Sequence, residues 1–285
     1  MSLHYEQRIH SPSAEWIVFF HGLGGDCSIF GKQIGFFQEH FNLLLIDLPG
    51  HGRSSSLERE GEEPVEYTAR RILQLLDRVG LPPAHFLGIS LGTVVMQHIA
   101  SLRPDRIKSM VLAGAPYRFQ PWGEWLVRCS LRFPLKQWMP ARWSYLLFAH
   151  ILMPRRNHQK SRAVFIQAAR GLRKSDYHAW GRALLWASRR TYARLDPARN
   201  TVPKLYVCGA QDHMFVPTLR RFVREEARAE WVLLPQCGHV CNIERAGLFN
   251  ELALSFFRRS AVASSFPSPL GEPPGALPAA ARPPA

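Results

Sequence analysis

Six short runs of aliphatic and aromatic residues, separated by helix-length stretches, constrain the fold of this chain more than any other feature. The runs are Trp16 to Phe20, Leu43 to Asp47, His85 to Ile89, Met110 to Ala113, Leu205 to Cys208 and Trp231 to Leu234. Near-continuous apolarity suits a strand covered on both faces. Strands that alternate with helices pair in parallel and carry helices on both sides of the sheet. Helices are expected over Phe30 to His40, Val65 to Val79, Leu91 to Leu102, Thr218 to Ala229 and Arg245 to Phe257. Leu3 to Ile9 alternates loosely, as an antiparallel edge strand does. The expected class is α/β: a mostly parallel sheet flanked by helices, interrupted once by an inserted helical cap.

The interruption lies between the runs at Ala113 and Leu205, where there is room for several helices and no good strand. Tyr177, Trp180, Leu184 and Ala187 fall there at helical spacing, and Pro121, Pro134, Pro140 and Pro154 punctuate the rest. The reading is therefore a core made of residues 1–116 and 196–259, with a cap of residues 117–195. Residues 260–285 hold seven prolines and few large apolar side chains. Such a segment buries too little to offset the entropy of ordering, so a disordered tail is expected.

Charge follows the same division. The chain has 36 Lys+Arg against 22 Asp+Glu, a formal +14. The cap alone contains 16 basic residues and two acids, Glu124 and Asp176, so the remainder is formally neutral. Six of the eight tryptophans (Trp122, Trp125, Trp138, Trp143, Trp180 and Trp186) also fall in the cap. Two readings of this stand side by side. In one, a solvated basic surface covers an apolar lid; in the other, cap arginines steer or hold a substrate bearing a carboxylate or phosphate. Trp143 to Met153 followed by Pro154-Arg155-Arg156 also suits an interfacial anchor on a membrane surface, although a lid helix over a pocket is the favoured reading. No nucleic-acid motif accompanies the charge, so no specific nucleic-acid partner is expected. Met1 to His10 has no apolar core of the kind a signal peptide needs, and Tyr145 to Met153 is too short to span a bilayer. Five scattered cysteines, an odd number, suit reduced thiols and a cytoplasmic setting.

The chemistry is concentrated in three short segments. Gly88-Ile89-Ser90-Leu91-Gly92 sits between an expected strand and an expected helix. In that context the serine occupies a strained turn that presents its hydroxyl, and glycines flank it where side chains would collide with neighbouring backbone. A serine hydroxyl needs a base, and the base needs an orienting acid. Asp212 lies just past the Leu205 strand, and His239 just past the Trp231 strand. Carboxyl ends of parallel strands share one edge of a sheet, so Ser90, Asp212 and His239 converge there as candidate nucleophile, acid and base. His21-Gly22-Leu23-Gly24-Gly25 leaves the first long strand at the same edge, and the backbone N–H groups of Leu23 and Leu91 are the candidate oxyanion donors. Cys237, His239 and Cys241 include zinc-type ligands, but a structural site wants four and no second pair exists. Neither a metal nor a cofactor is expected.

Over roughly Leu3 to Arg259 these segments resemble the α/β-hydrolase fold superfamily, in particular its capped members such as small carboxylesterases and enol-lactonases. His21-Gly22 resembles the oxyanion loop, Asp47-Leu48-Pro49-Gly50-His51-Gly52-Arg53-Ser54 the D-x-x-G-x-G-x-S turn, and Gly88 to Gly92 the nucleophile elbow. Gly209 to Asp212, and Gly238-His239 followed by Glu244, resemble the acid and base segments. Leu102 to Ile107 is similar to the link after the elbow helix in capped members. Thr93 and Arg245-Ala246 depart from the usual pattern. The resemblance implies a serine hydrolase cleaving a carboxylic ester, lactone or thioester of a small acyl substrate through an acyl-enzyme. Relatives with the same three residues also hydrolyse carbon–carbon bonds or catalyse eliminations, and those chemistries stay open, as does a ligand-binding role. Ser90 stands where epoxide hydrolases and haloalkane dehalogenases carry aspartate, which argues against both.

Overall fold

Side chains of the central strands alternate between two buried layers. Val18, Phe20, Leu44, Ile46, Phe86, Met110 and Leu112 enter one cluster, and Ile17, Phe19, Leu43, Leu45, Leu87, Ile89 and Val111 enter the other. With both faces buried, every position of these strands can be apolar, which is why the runs are continuous. The computed structural model describes residues 2–57, 62–131, 141–194 and 200–264. Its strands are β1 Tyr5–Arg8, β2 Trp16–Phe20, β3 Asn42–Ile46, β4 Ala84–Ile89, β5 Ile107–Ala113, β6 Lys204–Gly209 and β7 Ala229–Leu234. They form one sheet in the order β1-β3-β2-β4-β5-β6-β7. The β1 strand pairs antiparallel with β3, and the other neighbours are parallel.

Among the described residues the longer α-helices are α1 Gly31–Phe37, α2 Pro64–Arg78, α3 Leu91–Leu102, α4 Pro121–Leu131, α5 Ala141–Leu152, α6 Gln159–Ala168, α7 Lys174–Arg194, α8 Val216–Glu225 and α9 Ala246–Ser264, and a single turn spans Cys241–Glu244. Phe37 of α1 and Phe249 and Phe257 of α9 cover one face of the sheet. Residues of α2, α3 and α8 cover the other, together with Tyr145 of α5 and Trp180 of α7. Among the described residues, four α-helices, α4 to α7, stand between β5 and β6.

The structure differs from the sequence expectation at three places. The helix expected to reach Ala229 ends at Glu225, because Arg228 turns the chain at a positive φ of 54° and β7 begins one residue later. The β7 strand looked from its apolar run like a strand covered on both sides; it is the sheet edge, and only Leu234 in it is buried. The last helix continues to Ser264, so the first five residues assigned to the tail are helical. They contain no proline, and the Ser260 hydroxyl donates to the Phe256 carbonyl one turn back. The proline-rich remainder, 265–285, lies outside the described residues, as does Trp138. No helix among the described residues is long and apolar enough to cross a membrane.

One backbone approach decides how α3 sits. A Cβ on Gly92 would overlap the carbonyl group of Phe20, so the first turn of α3 lies directly on β2. Gly92→Ala is expected to destabilise the protein by about 3 kcal/mol, the upper range for overpacking a rigid site. Chemical denaturation monitored by circular dichroism reads this directly.

Candidate active site

Ser90 follows β4 and precedes α3 with φ 49° and ψ −116°, a region that side chains rarely adopt. The turn is held from both sides. The Ser90 N–H donates to the Ala113 carbonyl at 2.9 Å. The Ser90 carbonyl accepts from the Thr93 N–H at 2.9 Å and from the Thr93 hydroxyl at 2.7 Å. Thr93, a departure from the common pattern, thus adds a second hydrogen bond to the strained residue.

His239 Nε2 lies 3.0 Å from Ser90 Oγ, and His239 Nδ1 lies 2.7 Å from Asp212 Oδ2. An ionised carboxylate only accepts, so the imidazole proton sits on Nδ1 and Nε2 is left to accept from the serine hydroxyl. Asp212 and His239 are almost fully buried, whereas Ser90 is half-exposed. The other Asp212 oxygen lies 3.3 Å from the N–H groups of Met214 and Phe215. The acid and base loops are also joined by backbone: the Gln211 N–H donates to the Cys237 carbonyl at 2.8 Å, and a Cβ on Gly209 would overlap the Cys237 and Gly238 carbonyls. Such an arrangement lets a hydroxyl proton move to nitrogen while the oxygen attacks an electrophile.

The first loop lies against the serine, since a Cβ on Gly22 would sit 3.3 Å from that of Ser90. His21 fixes this loop. The Leu48 N–H donates to His21 Nε2 at 2.9 Å, so the proton on Nδ1 faces the Gly22 carbonyl at 2.8 Å. Burial holds His21 below its ordinary pKa, and burial with the neighbouring His21 brings His51 down to about 3. Their rings are 5.0 Å apart. As the first residue of α3, Leu91 has an N–H with no acceptor inside its own helix. Asp47 accepts from the N–H groups of Cys27 and Arg53 at 2.8 and 2.9 Å and lies 3.0 Å from His4 Nδ1. It braces the turn without approaching Ser90, His239 or Asp212 by any hydrogen bond among the described residues.

The thiols of Cys237 and Cys241 point at backbone carbonyls, those of Gly238 and Val207. Desolvation pushes Cys237 up to about 12 and Cys241 well above its ordinary value, which disfavours the thiolate a metal requires. Among the described residues the group with converging ligand atoms is instead His4, Cys27 and Asp47, and Asp47 there is committed to backbone donors.

Several contacts at the site carry no signal in the sequence. Glu244 accepts from the Gly238 N–H at 2.7 Å and from the Ser161 hydroxyl at 2.8 Å, joining the residue before His239 to α6. His158 Nε2 lies 2.8 Å from Gln211 Oε1, beside Asp212. The Tyr145 hydroxyl of α5 lies 3.0 Å from the Leu23 carbonyl. Trp180 of α7 donates to the Pro49 carbonyl at 2.9 Å. Asp176, one of two acids in a basic segment, is buried and accepts from the Leu57 N–H and the Ser56 hydroxyl.

An apolar cleft with a cavity volume of about 70 Å³ opens beside Leu23, walled by α4, α5 and α7. Among the described tryptophans of the inserted segment, Trp122, Trp125 and Trp143 are exposed, and Trp180 is packed against the Pro49 turn.

A family model described as the alpha/beta hydrolase fold matches residues 15–246. The 3-oxoadipate enol-lactonase 2 of Acinetobacter baylyi is 24% identical over 251 residues, 85% of this chain and 88% of that protein. The 2-succinyl-6-hydroxy-2,4-cyclohexadiene-1-carboxylate synthase of Yersinia pestis is 25% identical over 90% of this chain and 92% of its own. Among solved structures, the enol-lactonase from Burkholderia xenovorans superposes with a TM-score of 0.71 at 24% identity, covering 90% of this chain and 96% of that one.

Two expectations follow from the site. Glu244→Ala leaves the Gly238 N–H and Ser161 without their acceptor and should cost about 2 kcal/mol of stability, the usual loss for a hydrogen bond to a charged group. Urea unfolding of the variant measures it. His21 and His51 both take up a proton less readily when folded than when unfolded, so their contribution is complete above about pH 6.5 and is lost as pH falls below it. Each adds a slope of up to about 1.4 kcal/mol per pH unit in that window. His51→Gln removes one titrating group and should reduce the acid slope of the unfolding free energy.

Proposed function

We infer, from the premise that the chain belongs to the alpha/beta hydrolase fold family, that it is a serine hydrolase that cleaves a carboxylic ester, lactone or thioester through an acyl-enzyme. The observation that carries this reading is the continuous line from Ser90 Oγ through His239 to Asp212, with separations of 3.0 and 2.7 Å. Hydrolase relatives such as the enol-lactonase of Acinetobacter baylyi support the same class.

In this mechanism His239 Nε2 takes the hydroxyl proton as Ser90 Oγ attacks the acyl carbon. The developing oxyanion lies between the N–H groups of Leu23 and Leu91, and the amino terminus of α3 adds the positive end of its dipole. Asp212 holds the imidazole in the tautomer that accepts at Nε2 and stabilises the imidazolium that forms. His239 then returns the proton to the leaving group. The carbonyl carbon is now bonded to Ser90; a water enters and attacks it as His239 takes one of its protons, and the imidazolium returns that proton to the departing Ser90 oxygen as the acid is released. Helices α4 to α7 act as the cap, which narrows the approach to Ser90 and supplies one wall of the substrate cleft. The substrate is a small acyl compound that reaches Ser90 from the carboxyl edge of the sheet.

Ser90→Ala and Asp212→Asn are each expected to lower kcat on p-nitrophenyl acetate by at least about 10,000-fold, as removal of the nucleophile or of the orienting acid does in this type of site. Melting temperatures measured alongside should show both variants folded. Undiminished turnover by folded Ser90→Ala would overturn the assignment.

A further inference from the structure

We propose that His158, carried by the inserted segment, is a positioning residue for the acid–base pair: through the N–H at Nε2 it holds the Gln211 side chain, and through Gln211 it keeps Asp212 facing His239. This rests on the reading of Ser90, Asp212 and His239 as nucleophile, acid and base, and extends the machinery behind them into the cap.

Asp212 is held only loosely by its own loop. Its Oδ1 is 3.3 Å from the Met214 and Phe215 N–H groups, beyond the usual N–H···O range of about 2.7–3.2 Å. The residue before it is better anchored. The Gln211 N–H donates to the Cys237 carbonyl at 2.8 Å, and Gln211 Oε1 lies 2.9 Å from Asn157 Nδ2 and 2.8 Å from His158 Nε2. Asn157 and His158 close the single helical turn Arg156–His158 between α5 and α6. Both side-chain contacts to Gln211 therefore come from the inserted segment.

The backbone fixes where the protons are. The Gln236 carbonyl only accepts, and Asn157 Nδ2 lies 3.1 Å from it, so that side of the Asn157 amide is its NH2 group. The same NH2 group points at Gln211, which makes the Gln211 atom there the carbonyl oxygen. His158 Nε2 meets this oxygen as well and has to donate to it. His158 Nδ1 is buried with no hydrogen-bond partner among the described residues, so the hydrogen bonding of the ring rests on Nε2.

The same ring also reaches the base segment. His158 is fully buried, and a Cβ on Gly238 would sit 2.8 Å from its Nε2. Glu244 Oε2, which accepts from the Gly238 N–H at 2.7 Å, is 3.9 Å from that nitrogen. One side chain thus touches the residue before the acid and the residue before the base. Displacing a group in such a site by about 1 Å can cost about 100-fold in rate. Packing of cap on body needs no N–H at this point, since an apolar side chain fills the same space. The donor is the specific element.

Steady-state kinetics on p-nitrophenyl acetate, with melting temperatures measured alongside, test this. His158→Leu keeps most of the buried volume and removes the donor, so kcat should fall by about 10- to 100-fold with KM unchanged. His158→Gln places an amide N–H near the position of Nε2 and should recover most of that loss. Gln211→Leu removes the acceptor from the body side, at a half-buried position, and should reproduce the loss even if His158→Leu does not fold. The double variant should be no slower than the slower single one, because each change removes the same bond. In the proton NMR spectrum, the downfield signal of the His239 Nδ1–H shared with Asp212 should weaken in His158→Leu and return in His158→Gln. Two failures are separable. Wild-type turnover by folded Ser90→Ala brings down the nucleophile reading and the inference with it. Where turnover needs Ser90, the positioning role alone is overturned by a folded His158→Leu or Gln211→Leu with wild-type kcat, by His158→Gln as slow as His158→Leu, or by losses that multiply in the double variant.

Discussion

The strained backbone at Ser90 is the constraint on which the rest of the structure turns. A non-glycine residue at positive φ costs on the order of 1–3 kcal/mol and persists only where its surroundings dictate it. Here they do so through covalently unremarkable means. The Ala113 carbonyl fixes the amide before the side chain, Thr93 fixes the carbonyl after it, and Gly92 lets α3 settle on the Phe20 backbone. A side chain at Gly92 would lift the helix off β2 and release the turn. The sheet order follows the same demand: β2 and β4 end side by side, and β6 ends one strand further along the same edge, so that the first loop, the serine and the acid meet.

The inserted helices are tied to this centre by polar groups as well as by apolar contact. In a segment with a large excess of cations, both acids are committed locally: Glu124 pairs with Arg128, and Asp176 caps the backbone around Leu57. Glu244, from the opposite side, reaches Ser161 while holding the residue before His239. Burial of these carboxylates requires such partners. The described arginines and lysines of this segment face solvent for the most part, where they act on approach and association.

Much of this was legible in the amino-acid sequence because the signals are local. A strand, a G-x-S-x-G turn and a helix occupy adjacent residues, and Asp212 and His239 each lie just beyond an apolar run; the structure brings all three within hydrogen-bonding reach. What could not be read depends on separation. Ser161 and Glu244 are 83 residues apart, and Tyr145 and Leu23 are 122 apart, with no periodicity to connect them. The exposure of β7 was hidden for a related reason. An apolar run reports side-chain chemistry, not whether a neighbouring strand exists, and Trp231 and Val232 are only half-buried at the sheet edge.

The hydrogen bonds from Tyr145 to the Leu23 carbonyl and from Trp180 to the Pro49 carbonyl also bear on modularity. Segments inserted into a conserved scaffold are commonly treated as exchangeable parts. Here α5 and α7 are fasteners for the loop that borders the serine and for the Pro49 turn hydrogen-bonded to that loop through His21, so a transplanted segment would have to bring a phenol and an indole to the same two carbonyls. Divergence in the cap is thereby restricted to the faces that point away from those anchors, and its outer surface is free to vary while its inner seam is not.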